Sequence, residues 1–228
     1  MYGYIQKNLS ELRAELSELQ KKYGNEITLV AVTKSGTDEE LVALAKAGIE
    51  NIGENRPGEL KRRGELLADA GYHPYLHEIG NLQRNKVKYI IDKVSLIHSL
   101  DNLELAKEIN KRALATGRVV PVLIEINSAK EPQKDGVMPD DAISFYEQIK
   151  DLPAISVRGL MTMGPVCDDP EQIRPYFRLT RELFDKMKAI GCFADDGILS
   201  MGMSDSYRVA IEEGATLVRV GRRLFFHD

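Results

Sequence analysis

The chain has 228 residues, 43% hydrophobic and 29% charged, which is enough to bury a substantial core in one domain, at most two, and excludes a disordered segment. Its 31 basic against 35 acidic residues give a formal charge of −4. That sign disfavours nucleic acid, where affinity comes from Lys and Arg displacing counterions.

Cys167 and Cys192 are too few and too far apart for a disulfide framework or a Cys-rich zinc site, and read as reduced thiols. No apolar run approaches the roughly 18 to 20 residues of a bilayer span, and the amphipathic N-terminus is unlike a signal peptide. A cytoplasmic protein without membrane attachment is expected.

From Met1 to Tyr23, Ile5, Leu9, Leu12, Leu16 and Leu19 recur at helical spacing. ITLVAVTK (Ile27 to Lys34) is apolar on both faces until its end, as in a parallel strand covered on both sides. Thr37 to Glu40 has capping-box spacing ahead of LVALAKA, with Gly48 as the stop signal. The alternation continues with strands over 50–54, 74–79, 95–99, 119–127, 155–163, 197–203 and 216–221. Helices are expected over 57–70, 83–92, 103–115, 140–150, 171–190 and 206–213.

Eight strand–helix units imply an α/β fold, a single (β/α)8 TIM barrel over residues 1–228 with an extra N-terminal helix. A doubly wound open sheet is the alternative. Polar residues at strand C-terminal ends (Lys34, Glu54, Asn55, Asn127, Ser200, and Arg219 to Arg222) favour closure, because a barrel points all those ends at one face.

Lys34 ends an otherwise apolar strand, where partial desolvation would favour the neutral amine that attacks carbonyls. Alternatively its head snorkels out of the barrel mouth. In GILSMGMSDSYRVAI, Ser200 and Ser204 flank a Gly-containing turn that opens a helix, which makes either an anion pocket or an ordinary N-cap at Ser204. In TLVRVGRR, Gly221 allows close approach of a ligand to the backbone, and barrels often bind phosphate after strands seven and eight. An amine and a phosphate site on one face suit a phosphorylated aldehyde, of which pyridoxal phosphate is the obvious instance.

Other constellations are weaker. Pro74 separates His73 from His77, so the two do not share a helix face and no metal site is expected. His98 reads as a hydrogen-bonded residue of the core or wall. Lys61, Arg62 and Arg63, like Arg84, Lys86 and Lys88, read as solvated helix faces. Asp195 and Asp196 precede the seventh strand, at the wrong end of a barrel for catalysis.

Seven blocks then carry a resemblance: VAVTK (Val30 to Lys34), IGEN (Ile52 to Asn55), LHEIGNLQRNK (Leu76 to Lys86), IHSLD (Ile97 to Asp101), RGLMTM (Arg158 to Met163), LSMGMS (Leu199 to Ser204) and VRVGRRLF (Val218 to Phe225). In order and spacing the chain resembles the YggS/PROSC family of pyridoxal phosphate homeostasis proteins, similar in fold to the N-terminal barrel domain of alanine racemase. The resemblance implies that Lys34 holds pyridoxal phosphate as a Schiff base, and that Ser200, Ser204 and the backbone N–H groups of Gly221 and Arg222 hold its phosphate. Arg219 would face the pyridine nitrogen, and Asn55 would hydrogen-bond near the ring. Glu78, where the family commonly has an aromatic residue, Ser206, where Asp is frequent, and the ending FFHD depart from the pattern.

The leading expectation is a monomeric, non-catalytic carrier that buffers pyridoxal phosphate and passes it transiently to apo-enzymes. A small pyridoxal phosphate-dependent amino-acid racemase is the alternative, and would need a second acid–base group besides Lys34. A Schiff-base aldolase acting on a sugar phosphate is the third reading.

Overall fold

Residues 2–165, 169–194 and 196–226 are described by a computed structural model. Cys167, Asp195 and the terminal residues His227 and Asp228 lie outside the described residues. The elements run α1 (Gly3–Tyr23), β1 (Thr28–Val32), α2 (Asp38–Lys46), β2 (Asn51–Glu54), α3 (Pro57–Asp69), β3 (Tyr75–Glu78), β4 (Leu96–Leu100) and α4 (Leu103–Ala115). There follow β5 (Val120–Glu125), α5 (Ala142–Ile149), β6 (Ile155–Met161), α6 (Arg174–Ala189), β7 (Ile198–Ser200), α7 (Tyr207–Glu212), β8 (Leu217–Val220) and α8 (Arg222–Phe225). The strands pair in parallel in chain order and β8 returns to β1, so the sheet is a closed barrel and the open-sheet alternative falls.

Strand residues alternate between the barrel interior and the helix layer. Outward residues such as Ile52, Leu76 and Ile97 join the buried faces of the helices in one large core. The interior has its own apolar plug of Val30, Leu96, Leu123, Met161 and Leu217, with Ile198 packed on it. On four strands the residue two positions after a plug residue is polar and still buried: His98, Glu125, Ser200 and Arg219. Because a step of two keeps the same face, these four form a polar layer above the plug, toward the strand C-termini.

The capping box at the start of α2 is present, Thr37 accepting from the Glu40 N–H while the Glu40 carboxylate accepts from the Thr37 N–H. Residues 83–92, expected as an α-helix, form a 3₁₀ helix over Arg84–Tyr89 instead. Val87 and Ile90 are buried and three apart, a spacing that the three-residue turn aligns in one column. The long helix expected over 171–190 likewise opens with a 3₁₀ turn, Pro170–Ile173, before α6.

α1 lies outside the barrel and buries Ile5, Leu9, Leu12 and Leu16. It ties the chain's two ends together: Asn8 donates to the carbonyls of Leu224 and Phe226 at 3.2 and 2.8 Å, and Glu15 accepts from Tyr207 at 2.7 Å.

Candidate functional site

The strand C-termini surround a cavity of about 540 Å³, and six of the seven expected site residues line it: Lys34, Asn55, Ser204, Arg219, Gly221 and Arg222. Lys34 stands two residues beyond β1 on the turn Thr33–Gly36, which is closed by a Gly36 N–H to Thr33 carbonyl bond of 2.9 Å. Its side chain is exposed at the barrel mouth. Lys34 is the only lysine among the described residues lining this cavity.

Across the rim, Ser204 accepts from the Gly221 backbone N–H at 3.2 Å. Helix α7 starts at Tyr207, so Ser204 is not its N-cap. Gly202 is required for this loop: its φ is +92°, and a Cβ there would lie 2.5 Å from that of Ala210. At Gly221 a Cβ would come within 2.8 Å of the Val32 carbonyl, so glycine is what lets the end of β8 settle against β1. The Arg222 N–H, in the first turn of α8, has no intrahelical acceptor. Arg222 itself is exposed and ion-paired with Asp205.

Ser200 differs from expectation. It is fully buried and does not line the cavity. It points inward from β7 into the polar layer, where its Oγ accepts from Arg219 Nη1 at 2.5 Å and lies 3.0 Å from His98 Nδ1. Gly202 turns the chain between the two serines, so only Ser204 reaches the rim.

Arg219 is 3% exposed and also donates to the Thr162 carbonyl at 3.0 Å. Burial lowers it to about 10, still protonated at neutral pH, with Glu125 opposing the shift. From Ser200 the contacts continue inward: His98 Nε2 lies 3.0 Å from His77 Nδ1, and His77 Nε2 lies 3.1 Å from the Asn51 carbonyl oxygen. Burial lowers His77 to about 4, and burial, His77 and Arg219 lower His98 well below the usual range, so both rings are neutral near pH 7. With an acceptor at Asn51, each neutral ring has one consistent tautomer, and every bond donates in one direction, from Arg219 through Ser200, His98 and His77 to Asn51. His98 is thus a hydrogen-bonded wall residue, as its place in a strand predicts.

Two residues with a bearing on the site are not among the site residues expected from the sequence. Glu125, at the end of β5, lines the cavity and is pushed up to about 7 by burial, reinforced by Asp101 and Asp135 against Arg219. The signal for it is the same one that marks His98, Ser200 and Arg219, a polar residue two positions beyond a plug residue. Arg63 corrects the solvated reading of its basic run. Lys61 and Arg62 are exposed, but Arg63 is 6% exposed, because it lies on the buried stripe of α3 between Leu60 and Leu67. It donates to Glu54 at 2.8 Å, to the Gly36 carbonyl at 2.8 Å and to the Thr33 carbonyl. Arg84, Lys86 and Lys88 are exposed as expected.

Of the positions that depart from the family pattern, Glu78 is fully buried and Ser206 lines the cavity, its Oγ accepting from the Met203 N–H at 3.1 Å. No helix among the described residues is long and apolar enough to cross a membrane. No cluster of His, Cys, Asp and Glu among them could hold a metal.

The family model for the alanine racemase N-terminal domain matches residues 8–228. The chain is 45% identical over 197 residues to the pyridoxal phosphate homeostasis protein of Aquifex aeolicus, spanning 86% of this chain and 85% of that one. It superposes on PipY of Synechococcus elongatus, solved with pyridoxal phosphate bound, with a TM-score of 0.84 and 28% identity over 97% of this chain and all of that one. Alanine racemase of Clostridium difficile in complex with cycloserine shares the fold at a TM-score of 0.73 and 19% identity, with 96% of this chain covering 60% of that one.

Proposed function

The chain belongs to the alanine racemase N-terminal-domain family, among the pyridoxal phosphate homeostasis proteins, and on that premise we propose that it binds pyridoxal phosphate in the barrel-mouth cavity and holds it reversibly on Lys34. The role is buffering or delivery to apo-enzymes rather than turnover. The observation that carries this reading is the convergence on one cavity of a single lysine amine, a hydroxyl beside backbone N–H groups, and a buried, protonated guanidinium.

When bound, the cofactor supplies an aldehyde with which a primary amine condenses reversibly, losing water. Lys34 is the amine that fits. Ser204 and the backbone N–H groups of Gly221 and Arg222 suit a phosphate, since donors at a tight turn and a helix start favour an anion. Ser200 serves one layer down, as a support for Arg219. Arg219 remains protonated at neutral pH, so beside a pyridine nitrogen it donates a hydrogen bond without surrendering its proton. A nitrogen left unprotonated is a weak electron sink, which fits holding better than turnover. Asn55, exposed at the same rim, is available to the ring substituents.

Amino-acid racemisation is the second reading, favoured by one observation: Glu125, near 7, lines the same cavity from β5, four strands round the eight-stranded ring from the β1 end that carries Lys34. One experiment separates the two. The protein is incubated with pyridoxal phosphate, reduced with borohydride and peptide-mapped, and loaded protein is mixed with L-alanine. Attachment at Lys34, lost in Lys34→Ala, with unchanged L-alanine supports the carrier. Conversion to D-alanine at an enzymatic rate, lost in Lys34→Ala, supports the racemase. Equal trapping by Lys34→Ala removes Lys34 from the site.

A further inference from the structure

We propose that Arg63 is the positioning residue of Lys34, fixing from α3 the turn that aims the amine into the cavity; this rests on the reading that Lys34 receives the aldehyde. The Lys34 side chain makes no hydrogen bond or ion pair among the described residues, so its aim is set by its backbone. That backbone is held at both ends by one guanidinium. Arg63 Nη1 donates to the carbonyl of Thr33, the residue before Lys34, and Nη2 donates at 2.8 Å to that of Gly36, two residues after it.

Nη1 also meets Glu54 Oε1 at 2.8 Å, and the same carboxylate oxygen accepts from the Thr33 hydroxyl. Glu54 therefore fixes both the guanidinium and the first residue of the turn. The opposite flank is closed by α8: a Cβ at Gly36 would lie 2.6 Å from the Phe225 ring. The lysine turn is thus gripped between α3 and the helix that follows the Ser204–Gly221 contact, which couples the two halves of the site mechanically.

Fold stability alone gives little reason for an arginine here. Arg63 lies between Leu60 and Leu67 on the buried stripe of α3, where apolar residues would serve, and replacing a buried ion pair with well-packed apolar side chains is often neutral or stabilising. What an apolar residue lacks is a planar fork able to bind two carbonyls three residues apart. A reaction at a fixed amine is sensitive to such placement, since a shift on the order of 1 Å costs up to about a hundredfold in rate.

The test compares wild type with Arg63→Lys, which keeps the positive charge beside Glu54 but loses the fork. Two rates are read at Lys34 by peptide mapping: borohydride-trapped attachment of pyridoxal phosphate, which needs a placed amine, and acetylation by acetic anhydride, which does not. Arg63→Lys is expected to slow attachment by about tenfold to a hundredfold. Acetylation should stay within about twofold, because the side chain remains exposed in either case. Guanidinium ion added to Arg63→Ala should restore part of the attachment rate.

Should Arg63→Lys melt below the assay temperature, Gly36→Ala moves the turn from the Phe225 side and should give the same split. Attachment within about twofold of wild type in the folded variant overturns the proposal, as do parallel losses in both rates. Wild type that attaches pyridoxal phosphate nowhere, or at another lysine, instead defeats the reading of Lys34 beneath it.

Discussion

Glu78 accepts from the Gly80 N–H at 3.2 Å through one carboxylate oxygen, while its other oxygen is buried without a hydrogen-bond partner among the described residues. Burial, with Glu54 beside it, pushes the carboxyl from 4.5 up to about 8, and Glu125 rises from 4.5 to about 7. Folding therefore strengthens proton binding at both. Their contribution to stability is full below about pH 4.5 and is lost as pH rises through 7 and 8. His77, lowered from 6.5 to about 4, has the opposite sign: its contribution is present above 6.5 and lost as pH falls through 4. Between pH 4.5 and 6.5 the two effects oppose, and from 6.5 to 8 the carboxyls act unopposed. Each fully unbalanced proton is worth about 1.4 kcal/mol per pH unit. The melting temperature should fall between pH 6.5 and 8, and Glu78→Gln should flatten that decline. A wild-type profile that rises over this interval would contradict the assignment.

Among the elements, α1 precedes the first strand of the barrel and yet buries a full stripe against it. Its four fully or nearly buried aliphatic side chains are worth about 1.5–3 kcal/mol each, and their sum is comparable to the total stability of a domain, about 5–15 kcal/mol. A chain lacking residues 1–23 should lose its cooperative thermal transition by circular dichroism; retention of a sharp melt would show that the barrel stands without this cover. The helix itself is legible from the spacing of Ile5, Leu9, Leu12 and Leu16, and α4 is read to its ends at Leu103 and Ala115, because side-chain period and caps are local properties. The 3₁₀ segments are not. Arg84–Tyr89 shows a helical pattern either way, and which turn it adopts depends on packing that periodicity does not record.

Closure of the barrel is legible at the scale of the whole molecule, since Lys34, Asn55, Ser204 and Arg219 come from strand ends far apart in the chain yet share one cavity. What sequence spacing misses is depth. Ser200 and Ser204 look equivalent in LSMGMS, but one faces into the barrel and the other sits on the rim. Arg63 looks solvated among its basic neighbours until the stripe of α3 is known. A closed ring of eight strands leaves no unpaired edge to recruit another copy. Light scattering at micromolar concentration should give the mass of one chain, and a concentration-independent dimer would refute this.

The chain of donors from Arg219 to Asn51 ends on an amide, which takes no proton under physiological conditions. The barrel axis is accordingly an insulator. It links the guanidinium at the mouth to the far face through hydrogen bonds, but its last member offers only an amide oxygen, so the wire hands no proton on. Whatever acid or base chemistry occurs beside Lys34 is confined to the groups at the mouth and the solvent above it.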